Sequence, residues 1–516
     1  MSSSWSRKSS GAAIALAVAV VVVLAGLTGC GSSSGGGSAE FKGDAYPGVD
    51  TANTRFVKGP ITSSNANQLE KAWSLPLEAE STFGAYASTP VVAGGVLYSQ
   101  DLQSNVQAID LESGDVEWEQ TYEESDQGPN GVAVAEGMVF GATPTKAFAL
   151  DQASGEEIWS TPLLRSGNGE GESIDMAPGY HEGLLYVSTT PTNASASYPA
   201  GGVGILWALD AKTGKKKWHF NTVPDNLWGK PSVNSGGGLW YPPSFDEKGF
   251  MYFGVGNPAP YPGASGEPWG ASRPGANLYT DSMVKLDAKT GKLEWYYQLT
   301  PHDLYDWDFQ DPPILVNSGG RELAIGAGKS GIVVAIDAET GKPVWKRPVG
   351  VHNGHDEDGL LAMRGETSKL KDGEVFPGTL GGVIAPLAAN STTVFAPIVN
   401  HPLEVTGNGS SLTEPETIGG EVAALDIKTG KIVWNRKYPG PAYGAATAVN
   451  DMVFITTSEG AVHGLDAKTG GEVWQGSLPA GSNAGVTVSG DMVIAPAGLP
   501  IAEGQQPEIV AYKLGG

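Results

Sequence analysis

The sequence predicts an all-β chain folded as an eight-bladed β-propeller, and three observations carry that expectation. A short pattern, Ala-x-Asp-x-x-Thr-Gly-x-x-x-Trp with small variations, recurs seven times, ending at Trp118, Trp159, Trp218, Trp295, Trp345, Trp434 and Trp474. The tightest repeats, 41 residues from Trp118 to Trp159 and 40 from Trp434 to Trp474, leave room for about four strands of ordinary length, which is one propeller blade. An eighth Trp, Trp73 in QLEKAWSLPL, lacks the first half of the pattern, and the chain ends in EIVAYKLGG, which lacks the second half. The two halves complete each other, so the N-terminal strand around Trp73 is expected to close the last blade beside the C-terminal strand and leave no open sheet edge.

Each repeat reads as a β-hairpin. A short apolar strand ends at the Asp, a turn follows in which Gly supplies a positive φ, and the outgoing strand carries the Trp. A ring at a fixed place relative to a Gly is a packing device, because it can lie flat on a neighbouring backbone only where no Cβ intervenes. Composition agrees: 73 Gly and 35 Pro in 516 residues mark a turn-rich β protein. A period near 40 residues also fits WD40 repeats, but Trp-Asp occurs in this chain only at Trp307-Asp308. Extra length falls between Trp159 and Trp434, in GGGLWYPP (236–243), GNPAPYPGASGEPWGASRPGANLY (256–279), TPHDLYDWDFQDPP (300–313) and GVHNGHDEDG (350–359). Long loops on a rigid scaffold are where sites are built.

Before the repeats lies an address segment. Arg7 and Lys8 precede an apolar run from Ala12 to Leu27, the order of an export signal. Its end, Leu27-Thr28-Gly29-Cys30, resembles the lipobox of bacterial lipoproteins, which implies cleavage before Cys30 and lipidation of its thiol; an uncleaved membrane anchor is the alternative. The expected organisation is a signal peptide over 1–29, a lipidated Cys30 with a Gly/Ser linker over 30–45, and a propeller over 46–516. Such a protein sits outside the cytoplasm, lipid-anchored to the cell membrane. Cys30 is the single cysteine, so the chain carries no disulfide and no C-x-x-C-H haem attachment. A net charge of −24 argues against nucleic acid as a partner.

The loop at 300–313 gathers Asp303, Asp306, Asp308 and Asp311 around Tyr305 and Trp307. Like charges this close repel, and burial raises the cost of each, so a bound cation, a catalytic base and a solvated acidic loop all remain open. His352, His355, Asp356, Glu357 and Asp358 also stand at ligand-like spacing, and Gly326 to Gly331 imitates a phosphate loop but has Leu323 where the first Gly is required.

The repeat resembles the tryptophan-docking motif of quinoprotein alcohol dehydrogenases and their non-catalytic relatives. The order of the intervening segments, GGGLW, then FMYFGVGNP, ANLYTDSMVKLD, TPHDLYDWD and AIGAGKSG, is similar to that of the catalytic pyrroloquinoline quinone (PQQ) dehydrogenases. The resemblance implies Asn257 as an amide ligand to a metal, Asp306 as catalytic base and metal ligand, and Asp308 as the additional carboxylate of lanthanide-using members. It likewise implies Lys329 on the quinone oxygens and Trp240 as the indole platform under the cofactor ring. Catalytic relatives also bring a Glu to the metal, and NASASYPAGGVGILWALD (193–210) contains none. A hard cation such as Ca²⁺ takes oxygen ligands of this kind, polarises a quinone, and leaves a carboxylate to remove the alcohol proton.

The implied function is an exported dehydrogenase using PQQ with Ca²⁺ or a lanthanide to oxidise an alcohol or sugar hydroxyl. Electrons would pass to a separate cytochrome c or membrane quinone. A non-catalytic envelope scaffold or binding protein is the alternative, and a hydrolase using metal-bound water is a third reading.

Overall fold

The computed structural model describes residues 44–165, 171–192, 202–412 and 418–515; Cys30 and the address segment lie outside them. Among these residues, antiparallel four-stranded blades recur eight times, one of them extended by a fifth strand, and each carries one of the eight repeat tryptophans. The Trp118 blade sets the pattern: Val91–Ala93 innermost, then Val96–Gln100, Val106–Asp110 and Val116–Gln120. Every repeat Asp ends a strand, from Asp110 to Asp466. Its carboxylate then accepts the turn's backbone N–H groups, as Asp110 Oδ1 does from Glu112 and Ser113, and the turn Gly adopts the expected positive φ, 79° at Gly114.

In all eight sheets the pairing of the two outer strands slips by one residue at the Trp. Such a bulge re-aims a side chain. Here it lays seven of the eight indoles onto the turn Gly of the next blade: Trp73 on Gly114, Trp118 on Gly155, Trp159 on Gly214, and so on to Trp434 on Gly470. A Cβ at any of these glycines would stand 2.5–2.8 Å from the ring. The indole N–H also crosses to the next blade, for instance Trp118 Nε1 to Gln152 O at 3.1 Å and Trp434 Nε1 to Ala467 O at 3.0 Å. Trp218 departs from the pattern: its Nε1–H is buried with no hydrogen-bond partner, and the equivalent carbonyl, Ala288 O, accepts from the Tyr186 hydroxyl at 2.9 Å.

The chain of docked indoles closes as a ring, because Trp474 Nε1 donates back to Leu69 O at 3.3 Å. Leu69–Pro76 pairs antiparallel with Glu508–Leu514, followed inward by Met492–Ala497 and Thr487–Ser489. The N-terminal and C-terminal strands therefore close the last blade together. Ahead of Leu69–Pro76, Ala45 and Val134 exchange backbone hydrogen bonds of 2.9 Å, and Phe56–Val57 adds a parallel fifth strand to the Trp474 blade.

The core lies between blades, as where Phe140, Tyr186 and Phe253 of three successive blades share one apolar cluster. On the axis, Arg55 is buried and donates to Ala446 O and Pro47 O, both at 2.6 Å. A cavity of about 30 Å³ beside it is lined by residues from every blade, among them Ser88, Asn130, Tyr241 and Asn483. All of the long insertions join strands at the same end of the blades, either between an outer strand and the next inner one or between the second and third strands. No helix among the described residues is long and apolar enough to cross a membrane.

Candidate active site

The loop 300–313 runs from the outer strand of the Trp295 blade to Ile314–Ser318, the inner strand of the Trp345 blade. Asp303 folds it. Its two carboxylate oxygens accept the N–H groups of Tyr305 (2.9 Å) and Trp307 (2.8 Å), an Asx turn that bends the chain so that Asp306 takes a φ of 63°. The rings between the aspartates pin the loop to the neighbouring insertion. The Tyr305 hydroxyl donates to Asp358 Oδ2 at 2.6 Å and Trp307 Nε1 donates to Pro377 O at 2.9 Å. His302 Nδ1 bonds Gly275 O at 2.8 Å, and burial beside Arg273 lowers its pKa to about 4, so it is a neutral loop support at pH 7.

Only two of the four loop aspartates come together. Lys329 lies in the turn after Arg321–Gly326, and its ammonium sits 2.9 Å from Asp306 Oδ2 and 2.5 Å from Asp308 Oδ2. The Thr379 hydroxyl donates to the same Asp306 oxygen, while Asp306 Oδ1 is buried with no hydrogen-bond partner. Asp308 Oδ1 accepts the backbone N–H of Asn257 at 2.6 Å, which ties the acidic loop to the Gly256-Asn257-Pro258 segment. Burial drives the pKa of Asp306 up to about 7, with Asp308 adding to the rise and Lys329 opposing it. Asp311 points elsewhere: it is fully buried, burial holds its pKa well above the usual range, and the cation that opposes this is Arg55 on the axis.

Gly256 shows how tightly these parts meet. A Cβ there would stand 2.7 Å from Asp308 Oδ1, 3.0 Å from Gly238 O and 3.3 Å from Trp240 Nε1. The half-buried Trp240 indole and the Asp308 carboxylate therefore flank one stretch of backbone, and the Asn257 amide, 5% exposed, donates Nδ2–H to Pro258 O at 3.2 Å. Asn257, Asp306, Asp308, Lys329 and Trp240 thus belong to one site at one end of the propeller. The donors available there are oxygens only, which suits a hard cation rather than a thiolate- or imidazole-seeking one.

Among the described residues no group of three or more His, Cys, Asp or Glu is placed to hold a metal by itself. The His-rich insertion pairs off instead, His352 with Asp356 at 2.8 Å and His355 with Asp358 at 2.7 Å. Of the stretch without Glu, residues 193–201 lie outside the described residues. The acid–amide set still fits a cation whose remaining ligands come from a bound cofactor, because Asp306 Oδ1 is a buried acceptor without a donor.

Sequence reading passed over five polar residues, three of them beside this site. Thr379 stands 73 residues along the chain from Asp306. Arg273 is wholly buried and donates to Asp303 O, Pro260 O and Asn277 Oδ1. Asp281 is wholly buried and lies within electrostatic reach of Asp303, Asp306 and Asp308. Asp126 and Asp175 form a second carboxyl pair, in which Asp126 accepts from Gly128 N–H (2.6 Å) and Asp175 from the Ser173 hydroxyl (2.9 Å). Burial pushes both of these up, Asp175 to about 6. No local pattern flags any of them, since each is a single polar residue beside a strand or turn.

Comparison with known proteins agrees with this geometry. The family described as glucose/ethanol/alcohol dehydrogenase, beta-propeller domain, matches residues 45–133 and 178–350, and that of the outer membrane protein assembly factor BamB matches 391–514. The quinohemoprotein alcohol dehydrogenase of Comamonas testosteroni is 30% identical over 80% of this chain and 66% of its own length. The quinoprotein alcohol dehydrogenase PedH of Pseudomonas putida is 27% identical over 81% of this chain and 77% of its own. The chain thus spans just under two thirds of the Comamonas enzyme. The crystal structure of that enzyme superposes with a TM-score of 0.77 at 26% identity, covering 91% of this chain and 80% of the other. A europium-containing methanol dehydrogenase, 19% identical, shares the fold with a TM-score of 0.73 over 91% of this chain and 97% of its own. A propeller ringed by docked indoles, with an acid–amide–lysine site at one end and relatives that are quinoprotein oxidoreductases, belongs to the PQQ-dependent glucose/ethanol/alcohol dehydrogenase family.

Proposed function

We propose that this protein is an exported PQQ-dependent dehydrogenase that oxidises an alcohol or sugar hydroxyl, with Asp306 as its general base. The observation that carries this reading is the state of Asp306: a carboxylate held by Lys329 and Thr379, one oxygen unpartnered, with a pKa raised to about 7. A buried carboxylate whose proton affinity is raised above that of a solvated one takes a hydroxyl proton more readily. PQQ, polarised by a Ca²⁺ or lanthanide cation, supplies the hydride acceptor when bound.

The chain's own residues do the rest. Asn257, Asp306 and Asp308 would hold the cation, Trp240 would offer an apolar face to the cofactor, and Lys329 would give its oxygens a positive charge. Asp306 receives the hydroxyl proton of the substrate, and the buried setting keeps that carboxylate from being levelled by water. Electrons leave to a separate cytochrome c or membrane quinone, since the only cysteine is Cys30 and covalent haem attachment needs two. Lipidation at Cys30 anchors the protein outside the cytoplasm, beside such an acceptor.

A second reading has one observation in its favour: residues 391–514 match the BamB family, so a non-catalytic envelope scaffold would account for that part of the chain. Reconstitution separates the two. Purified protein is incubated with PQQ and Ca²⁺ or La³⁺, freed of unbound cofactor, and assayed for dye reduction with a panel of alcohols and aldoses. Retained quinone absorbance with substrate-dependent dye reduction is expected. A protein that retains no quinone with either metal refutes the dehydrogenase reading.

A further inference from the structure

We propose that Asp281 is the outer carboxylate of the cation site: without itself being a ligand, it supplies a buried negative charge that sets how strongly the Asn257–Asp306–Asp308 cluster holds a cation. The inference rests on the cation-site reading above and extends it to a residue that the sequence motifs leave out.

Asp281 immediately precedes the strand Ser282–Asp287. Its N–H donates to Gly256 O at 3.2 Å, and its carbonyl accepts Leu299 N–H at 2.9 Å. Its backbone is therefore clamped between the segment that carries Asn257 and the one that leads into the acidic loop. The residue has a φ of 50°, is 0% exposed, and neither carboxylate oxygen has a hydrogen-bond partner. Burial, with Asp303 and Asp308 adding to it, pushes the Asp281 pKa well above the usual carboxylate range in the cation-free protein, so it is a cation in the Asn257–Asp306–Asp308 cluster whose field lets Asp281 ionise.

The charged groups facing Asp281 are Asp303, Asp306, Asp308 and Arg273. Arg273 is committed elsewhere: its donors go to Pro260 O, Asn277 Oδ1 and Asp303 O. Lys329 is committed to Asp306 and Asp308. Four carboxylates thus surround two side-chain cations, leaving two negative charges when all ionise. A hard cation bound by Asn257, Asp306 and Asp308 restores that balance. Asp281, Asp306 and Asp308 do not converge closely enough to form a three-acid metal centre, so the contribution of Asp281 is a field across protein, not a bond.

That distinction gives the test. A through-space charge acts in proportion to the charge of the ion, so its removal weakens a trivalent ion more than a divalent one, in the ratio 3:2 on a logarithmic scale. The cation-free full chain is titrated with Tb³⁺, read by luminescence sensitised through the site tryptophans, and with Ca²⁺ by competition. Asp281→Asn is expected to weaken Tb³⁺ on the order of 100-fold and Ca²⁺ roughly 20-fold, while Asp281→Glu restores affinity for both.

Asp311→Asn provides the comparison. Asp311 is equally buried and unpartnered but faces Arg55, so neither affinity is expected to change. Unchanged affinities in Asp281→Asn mean a neutral, protonated Asp281 and overturn the proposal; so do equal fold-losses for the two ions, which indicate structural damage. If the unmutated chain binds neither ion, the cation site itself is refuted, and the two failures are told apart by which protein shows them.

Discussion

Replacing Asp306 by Asn is predicted to make the protein more stable and nearly inactive at once. The side chain keeps its shape and its acceptor for the Thr379 hydroxyl, but loses its charge. Burial raises the Asp306 pKa from 3.8 to about 7. At about 1.4 kcal/mol per pKa unit, ionising this group in the folded state costs roughly 4 kcal/mol more than in the unfolded chain. The sign follows from proton binding. Between pH 3.8 and about 7 the folded protein holds a proton that the unfolded chain has released, so stability falls as pH rises and the full penalty applies above about 7. The amide never ionises, so at pH 8 the cation-free variant should gain a few kcal/mol in urea unfolding, and at pH 4 it should match the parent. Turnover by the reconstituted variant should drop by about 10²–10⁴, the usual worth of a general base. Quinone absorbance should be largely retained, because Asp308 still holds Lys329 at 2.5 Å. Turnover within tenfold of the parent, or a variant less stable at pH 8, would refute the reasoning.

Other outcomes follow from the same structure. Lys329→Gln leaves Asp306 and Asp308 buried without their shared ammonium, and is expected to cost about 3–5 kcal/mol at pH 8 and far less at pH 5, where Asp306 is protonated; urea melts at the two pH values check this. The unmutated cation-free protein should lose stability between pH 4 and 7, since Asp175 (about 6) and Asp306 (about 7) both carry raised values, and added La³⁺ or Ca²⁺ should reverse the Asp306 part in thermal melts. The kcat/KM profile of the reconstituted enzyme should rise with pH through a limb at or below about 7, because a bound cation favours the ionised Asp306. Gly155→Ala places a Cβ 2.6 Å from the Trp118 ring at a φ of 74° and should lower stability by about 2–4 kcal/mol without changing cofactor affinity.

The fold was legible because it repeats. One Asp, one Gly and one Trp at fixed spacing specify where a strand ends, how the chain turns and which ring crosses to the next blade, and seven copies leave little freedom for another architecture. The irregularities escape a linear pattern: Trp218 Nε1 is left without a partner, and Trp474 donates to Leu69 O in the closing strand rather than to a turn carbonyl. The site was legible where chemistry sits in one run of sequence, as for Asp306 and Asp308, and opaque where it is assembled across blades. Thr379 and Arg273 are ordinary residues in long insertions, and Asp281 reads as a polar residue before a strand until its burial is known. The acidic loop also looked more uniform than it is. Asp303 spends its oxygens on backbone N–H groups and Asp311 looks toward the axis, so one local string serves three separate tasks.

The route of the N-terminal segment bears on how this molecule carries a load. A pull that enters the described residues at Ala45 does not bear first on Leu69–Pro76, the strand whose loss would open the ring. It meets the Ala45–Val134 bridge, then Arg55, moored by its guanidinium to Pro47 O, Ala446 O and the hydroxyls of Thr89 and Thr447, and then Phe56–Val57 along the Trp474 blade. These moorings act in series ahead of the closing strand. A pull arriving at Ala45 is therefore resisted near the axis of the propeller before it reaches the seam.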